Sequence, residues 1–186
     1  MSLPSIAPLV AAFLLLAGPS ARPVQRDRPI PTDDAYVQGI PLCLSCQFGS
    51  SPVLRVINSY RGLSQSYLKF DIRHPSRGGL RRATLRLFVL DPSVDGMEVH
   101  NVPDTSWTED TIVWSNRPAP DPEFVAFSAP RAGWISVDVT SILPPGGGVV
   151  SIAITGAVDT ALDSAEFSAK EGPHPPKLLA VWSGHA

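Results

Sequence analysis

The sequence predicts an all-β protein, an antiparallel β-sandwich, and three observations carry that prediction. Twenty prolines and fourteen glycines interrupt the chain too often for a helical bundle. Apolar and polar residues alternate in short runs of about four to eight residues, the period of a strand with one buried face. Between those runs stand "HPSRGG", "DPSVDG", "NRPAPDP" and "LPPGGG", each a cluster of turn-forming residues. With 186 residues, 44% hydrophobic and 17% charged, the chain suits one domain with a real core.

In "VLRVI" (53–57) Leu54 and Val56 face in and Arg55 faces out. "SYLKFDI" (66–72) sets Leu68, Phe70 and Ile72 on one face and Tyr67, Lys69 and Asp71 on the other. "ATLRLFVL" (83–90) turns Leu85, Leu87 and Val89 inward and Arg86 outward, and "GWISVDVTSI" (133–142) gives Ile135, Val137 and Val139 the inner face. "VVSIAITG" and "KLLAVW" are largely apolar, as strands buried on both sides are. In "DTSWTEDTIVW" (104–114), Asp104 reads as turn chemistry ahead of a strand from Thr111, with Ile112 and Trp114 facing in and Trp107 capping the core edge.

The first 20 residues carry no charged side chain and hold an apolar run from Ile6 to Ala17, shorter than the about 20 residues needed to span a bilayer. This stretch is read as a secretory signal peptide cleaved after Ser20, with Ala17 and Ala21 as rival positions, although a basic n-region is missing. The alternative is an apolar leader that is never cleaved. Residues 21–31 form a proline-rich linker, the domain runs over 32–182, and residues 183–186 are a tail. No later segment is long and apolar enough to span a membrane, so the product is expected to be secreted or held at a cell surface. In an oxidising compartment Cys43 and Cys46, the two cysteines, are expected to form a short-range disulfide.

A formal net charge of −2 and a pI near 6.0 give no global pull toward nucleic acid, which is not an expected partner. Catalytic motifs are missing: the chain has no G-x-S-x-G, no H-E-x-x-H and no glycine-rich phosphate loop after a strand. Glu109 and Asp110 are adjacent, so on a strand they would point to opposite faces, a poor acid–base pair. The four histidines read as exposed imidazoles in turns or near the C-terminus.

The ordered succession "TDDAYV" (32–37), "FGSSPVLRV" (48–56), "SYLKFDI", "ATLRLFV", "TSWTEDTIVWSNRP" (105–118), "GWISVDVTSIL" (133–143) and "AEFSAKE…PPKLLAVW" (165–182) resembles the DNRLRE-type domain, carbohydrate-binding module family 96. That resemblance implies a secreted β-sandwich of jelly-roll type, non-catalytic, with acidic polysaccharides such as alginate among its ligands. Where members of that family commonly carry Ser-Arg-Glu, this chain has Ala169-Lys170-Glu171, which keeps the charge and loses the planar fork of arginine.

On the outward faces Arg55, Lys69, Arg86 and Lys170 are candidates to line one surface and bind uronate carboxylates, with Tyr60 or Tyr67 available to stack on a sugar ring. The competing reading is ordinary solvated strand charge paired with Asp71, Asp138 or Glu171. No cofactor is required. Asp33, Asp34 and Glu171 come from the two chain ends and are candidate ligands of a structural calcium. The leading function is therefore polysaccharide binding. A structural or adhesive surface protein and a polysaccharide-degrading enzyme with an unrecognised site are the alternatives.

Overall fold

A computed structural model describes residues 26–59, 62–73, 78–157 and 162–183. Among them there are eleven strands and one short 3-10 turn at Thr140–Ile142, and no α-helix. In chain order the strands are β1 (Arg26–Asp27), β2 (Asp33–Gln38), β3 (Val53–Ser59), β4 (Gly62–Asp71), β5 (Leu80–Asp91), β6 (Ser93–Asn101), β7 (Phe124–Ala129), β8 (Gly133–Asp138), β9 (Val149–Gly156), β10 (Leu162–Ser168) and β11 (Lys177–Trp182).

All pairings are antiparallel, and hydrogen bonding joins every strand into one sheet, ordered β1-β11-β5-β10-β3-β4-β9-β6-β7, with β2 on β4 and β8 on β5. The sheet curls into a half-barrel. The all-β antiparallel class stands as expected, while the ladder is one curled sheet where a jelly-roll sandwich of two sheets was anticipated. The main core fills its concave side: Leu54, Val56, Leu68, Phe70, Leu85, Leu87, Val89, Ile152, Ile154 and Phe167 are fully buried there. Register explains the inner face, because a strand alternates faces residue by residue.

A second, smaller core lies on the convex side of β2, β4 and β9. There the long connection 102–123 folds back and buries Ala35, Val37, Tyr67, Val102, Trp107, Ile112 and Ala153. This overlay corrects the reading of β4: Tyr67 and Lys69 are on the outer face, as the alternation required, yet both are buried, because that face is covered by chain and not by water. The expected strand from Thr111 is absent. That stretch turns twice, with Ile112 bonding to the carbonyl of Thr108, so its apolar residues pack from a loop. The Asp104 turn is present, its Oδ1 accepting from the Ser106 amide at 2.8 Å.

Other differences follow from position in the sheet. β11 alternates between half-buried and buried residues and is not covered on both sides, so Leu178, Ala180 and Trp182 face the core and Lys177, Leu179 and Val181 face out. β6 and β7 were not anticipated; "DPSVDG" read as a turn, whereas a register shift between Ser93 and Met97 carries β6 through it. β1 falls in the segment read as a linker and pairs Arg26 with Val181. The signal-peptide assignment, Tyr60, His74 and His185 lie outside the described residues.

Cys43 and Cys46 are joined, in a turn between β2 and β3. The ring is small, and chain-entropy stabilisation shrinks with loop length. Replacing both by serine is expected to lower unfolding free energy by about 2 kcal/mol or less, with the same circular dichroism spectrum. A loss of folded structure would show that the bond fixes more than its own loop.

Candidate functional site

The four cations expected on one surface occupy three different environments. Arg55 on β3 lies opposite Glu166 on β10, and its Nε and Nη2 donate to Glu166 Oε1 at 2.8 and 2.6 Å. Its guanidinium also sits 5.5 Å from the centroid of the Tyr36 ring. Arg55 is therefore engaged by its own sheet.

Lys69 and Lys170 enter an acidic cluster where the chain ends meet the 102–123 connection. Lys69 is buried, with Nζ donating to the Trp107 carbonyl, 3.3 Å from Asp33 Oδ2 and 4.6 Å from the Trp107 ring centroid. Lys170 donates from Nζ to Glu109 Oε1 at 2.7 Å and also to Glu171, while its backbone amide donates to Asp34 Oδ2 at 2.8 Å. The Asp34 amide in turn donates to Glu109 Oε2 at 3.2 Å. Burial disfavours a charged ammonium at Lys170, but the bonds to Glu109 and Glu171 prevail and raise its pKa. Neither lysine is an open surface contact. Lys69 is corrected from an outward cation to a buried one because Trp107 and its loop lie over it.

Asp34 is 1% exposed and its Oδ1 has no hydrogen-bond partner among the described residues. Burial pushes its pKa up to about 7, the amide of Lys170 opposing and Glu171 reinforcing. Asp34, Glu109 and Glu171 each place one oxygen within 4.8 Å of the others. The candidate calcium set thus includes Glu109 where Asp33 was expected, since Asp33 accepts from the Glu109 amide and faces Lys69. Lys170 already lies on two of these carboxylates, so a divalent cation would have to displace the protein's own ammonium. The arrangement fits a latch between chain ends better than a preformed calcium cage.

Tyr67 is fully buried, with its hydroxyl donating to the Pro118 carbonyl at 3.1 Å and its ring edge-on to Trp107 at 6.0 Å. Burial pushes its pKa up to about 12. No sugar can reach that ring, which corrects its assignment as a stacking residue. Trp107 is likewise a core residue, its Nε1 donating to Ser151 Oγ at 2.9 Å.

Arg86 behaves differently. In the register of the sheet Lys177 on β11, Arg86 on β5 and Ser136 on β8 form one row, and Phe88 lies opposite Trp134 in the neighbouring row of the same face. Arg86 Cζ is 4.8 Å and Lys177 Nζ 5.2 Å from the Trp134 ring centroid. Phe88 meets Trp134 edge-on at 5.5 Å and stacks on the His174 imidazole at 4.0 Å. Trp134 is 38% exposed. No carboxylate of the described residues lies within ion-pair distance of Arg86 or Lys177. An open indole between two cations that lack a counter-charge offers both an apolar ring face and a place for an anion.

Sequence reasoning found Arg86 and missed Trp134, Phe88, His174 and Lys177. The signal was present in the parity of "ATLRLFVL" and "GWISVDV", which puts Arg86, Phe88, Trp134 and Ser136 on outer faces. Recognising the pair needed the β5–β8 register, which sequence does not show.

The chain belongs to carbohydrate-binding module family 96, whose family model matches residues 26–181. No curated protein matches the chain. It is a carbohydrate-binding module of a family class that is generally non-catalytic, and its ligand is a polysaccharide.

Proposed function

We propose that this module is exported and binds an acidic, uronate-containing polysaccharide through the outer face of β5, β8 and β11. The observation that carries the reading is the pairing of exposed Trp134 with Arg86 and Lys177, two cations without a carboxylate partner among the described residues. A pyranose ring presents an apolar face to the indole, and its carboxylate accepts charge-assisted hydrogen bonds from the flanking cations. Each contact is modest. Repetition along a polymer supplies strength, so long chains bind more tightly than short oligomers.

The test is retention of the folded domain on immobilised alginate and polygalacturonate. Replacing Arg86 and Lys177 together by alanine is expected to weaken retention at least tenfold while changing the melting temperature little, because half-exposed strand charges contribute little to stability. Trp134→Ala is expected to act similarly. Salt near 1 M is expected to release the wild type, since exposed charges are screened over about 8 Å already at physiological ionic strength. Retention unchanged in both variants would exclude this face as the site.

A further inference from the structure

A second concave surface lies on the convex side of the sheet, beyond the edge of the 102–123 connection. It is a groove of about 310 Å³ lined by Asn58, Leu63, Gln65, Glu98, His100 and Thr155, among others. That is the lower end of the range for small-molecule sites, about 300–1,000 Å³, and suits a single sugar ring. The strand register builds it. Gln65, Thr155 and Glu98 form one row across β4, β9 and β6, and His100 on β6 lies opposite Phe124 on β7.

The polar groups on its wall are held in place. His100 Nδ1 is 2.8 Å from the Asp121 carbonyl, which requires the proton on that nitrogen. Nε2 is thereby left to accept from the Thr155 hydroxyl at 3.2 Å, and Glu98 Oε2 lies 3.3 Å from the same nitrogen. This corrects the reading of the histidines as exposed imidazoles, since His100 is buried to 8% exposure by its partners. Next to the lining, Phe124 pairs with His100 across the β6–β7 ladder; it is 50% exposed, with its ring centroid 5.6 Å from that of His100. Leu63 and Ile57 supply apolar wall, and Leu63 is itself partly open.

We infer that this groove is a second carbohydrate subsite, one that takes a neutral sugar residue, with Phe124 stacking on the ring and the carboxylate of Glu98 accepting hydroxyl protons. The inference rests on the reading of the chain as a carbohydrate-binding module and is independent of where the acidic polymer binds. Charge sets the selectivity. Among the described residues of the lining Glu98 is the one carboxylate, and the guanidinium of Arg117 is held by Gln65 Oε1 at 3.0 Å and the Trp114 carbonyl at 2.6 Å, so a uronate would meet the Glu98 carboxylate. A neutral pyranose brings hydroxyl donors to that same carboxylate, and such bonds are roughly twice as strong as neutral ones. The groove and the Trp134 face lie on opposite sides of the main core, because one row is on the convex side of β4, β9 and β6 and the other on the outer face of β5 and β8. One module could then hold two chemically different chains at once.

The test uses the full domain and two probe sets measured by titration calorimetry: neutral β-1,4-linked hexasaccharides of glucose, mannose and xylose, and oligouronates of the same length. Wild type is expected to bind at least one neutral hexasaccharide. Phe124→Ala, an exposed position that leaves the fold intact, and Glu98→Gln are each expected to weaken that binding at least tenfold and to leave oligouronate binding unchanged. Trp134→Ala is expected to do the reverse. Absence of neutral binding in the wild type overturns the groove site while leaving the acidic face standing. Neutral binding that is lost in Trp134→Ala and kept in Phe124→Ala also overturns it. Should Glu98→Gln fail to fold, the Phe124 variant decides alone.

Discussion

Trp182→Ala is expected to cost about 3–5 kcal/mol of unfolding free energy, a large part of the about 5–15 kcal/mol that holds a typical domain together. Trp182 is the last residue of β11 and one of the largest fully buried side chains, at 2% exposure. Its ring closes the core against the turn that precedes β9. There Gly147 has φ +64°, and an added Cβ would run into the Trp182 ring and lie 2.9 Å from the Ile72 carbonyl oxygen. Glycine is thus required twice over, by backbone conformation and by the closeness of the indole. The cavity left by alanine cannot collapse easily, because β11 is hydrogen-bonded to both β1 and β5. At the size of this domain the loss corresponds to a fall in melting temperature of about 10 °C or more. Deleting residues 177–182 goes further: Arg82 to Arg86 lose their ladder partners and the core loses Leu178 and Ala180 as well, so an unfolded product is expected. A cooperatively melting truncation, or a Trp182→Ala variant within about 2 °C of wild type, would place β11 outside the cooperative core.

The inner face of this sheet was legible because it depends on local alternation alone. Leu54 and Val56, then Leu85, Leu87 and Val89, were assigned inward from parity and are fully buried. What sequence concealed was the outer face. Parity put Tyr67, Lys69 and Arg86 on the same kind of surface, yet Tyr67 and Lys69 are covered by Trp107 and its loop while Arg86 is half-buried beside the exposed Trp134. Nothing in a period of two distinguishes a face covered by a distant loop from a face covered by water. β6 and β7 were missed for a related reason. "SVDGMEVHN" mixes acidic, glycine and histidine residues, among them Glu98 and His100 of the groove lining, so it lacks the apolar alternation that marks other strands. The acidic cluster was half legible: Asp34 and Glu171 were foreseen from the chain ends, whereas Glu109 arrives from a connection whose path only the fold defines.

The stability of the domain is expected to fall as pH rises from about 4 to about 8, and Asp34→Asn is expected to remove most of that slope. Asp34 is buried with one oxygen unpartnered, and its pKa stands at about 7 against 3.8 in the unfolded chain. A carboxyl group whose folded pKa is raised favours folding in its protonated form. Its contribution is therefore complete below pH 3.8 and is lost as pH climbs through 7, at about 1.4 kcal/mol per pH unit, or on the order of 4 kcal/mol in total. This runs opposite to the usual behaviour of a salt-bridged aspartate. Asparagine keeps an oxygen for the Lys170 amide, which Asp34 Oδ2 accepts at 2.8 Å, and carries no charge to desolvate. At pH 8 the variant is expected to be more stable than wild type by up to a few kcal/mol, and at pH 4 the two are expected to be nearly equal. Lys170→Arg addresses the same defect from the other side. A guanidinium presents a planar fork of donors where the ammonium is a point charge, so it can serve Glu109 and the orphaned Asp34 Oδ1 together. It is expected to raise stability at pH 8 and to shrink the advantage of Asp34→Asn when the two are combined, the non-additivity of neighbours that share one network. Denaturant unfolding of the four proteins at pH 4, 6 and 8 decides the matter. Parallel pH profiles for wild type and Asp34→Asn would mean that Asp34 is ionised throughout. If millimolar calcium instead raises wild-type stability at pH 8 and does nothing to Asp34→Asn, the carboxylates of Asp34, Glu109 and Glu171 serve a metal and the ammonium of Lys170 yields to it.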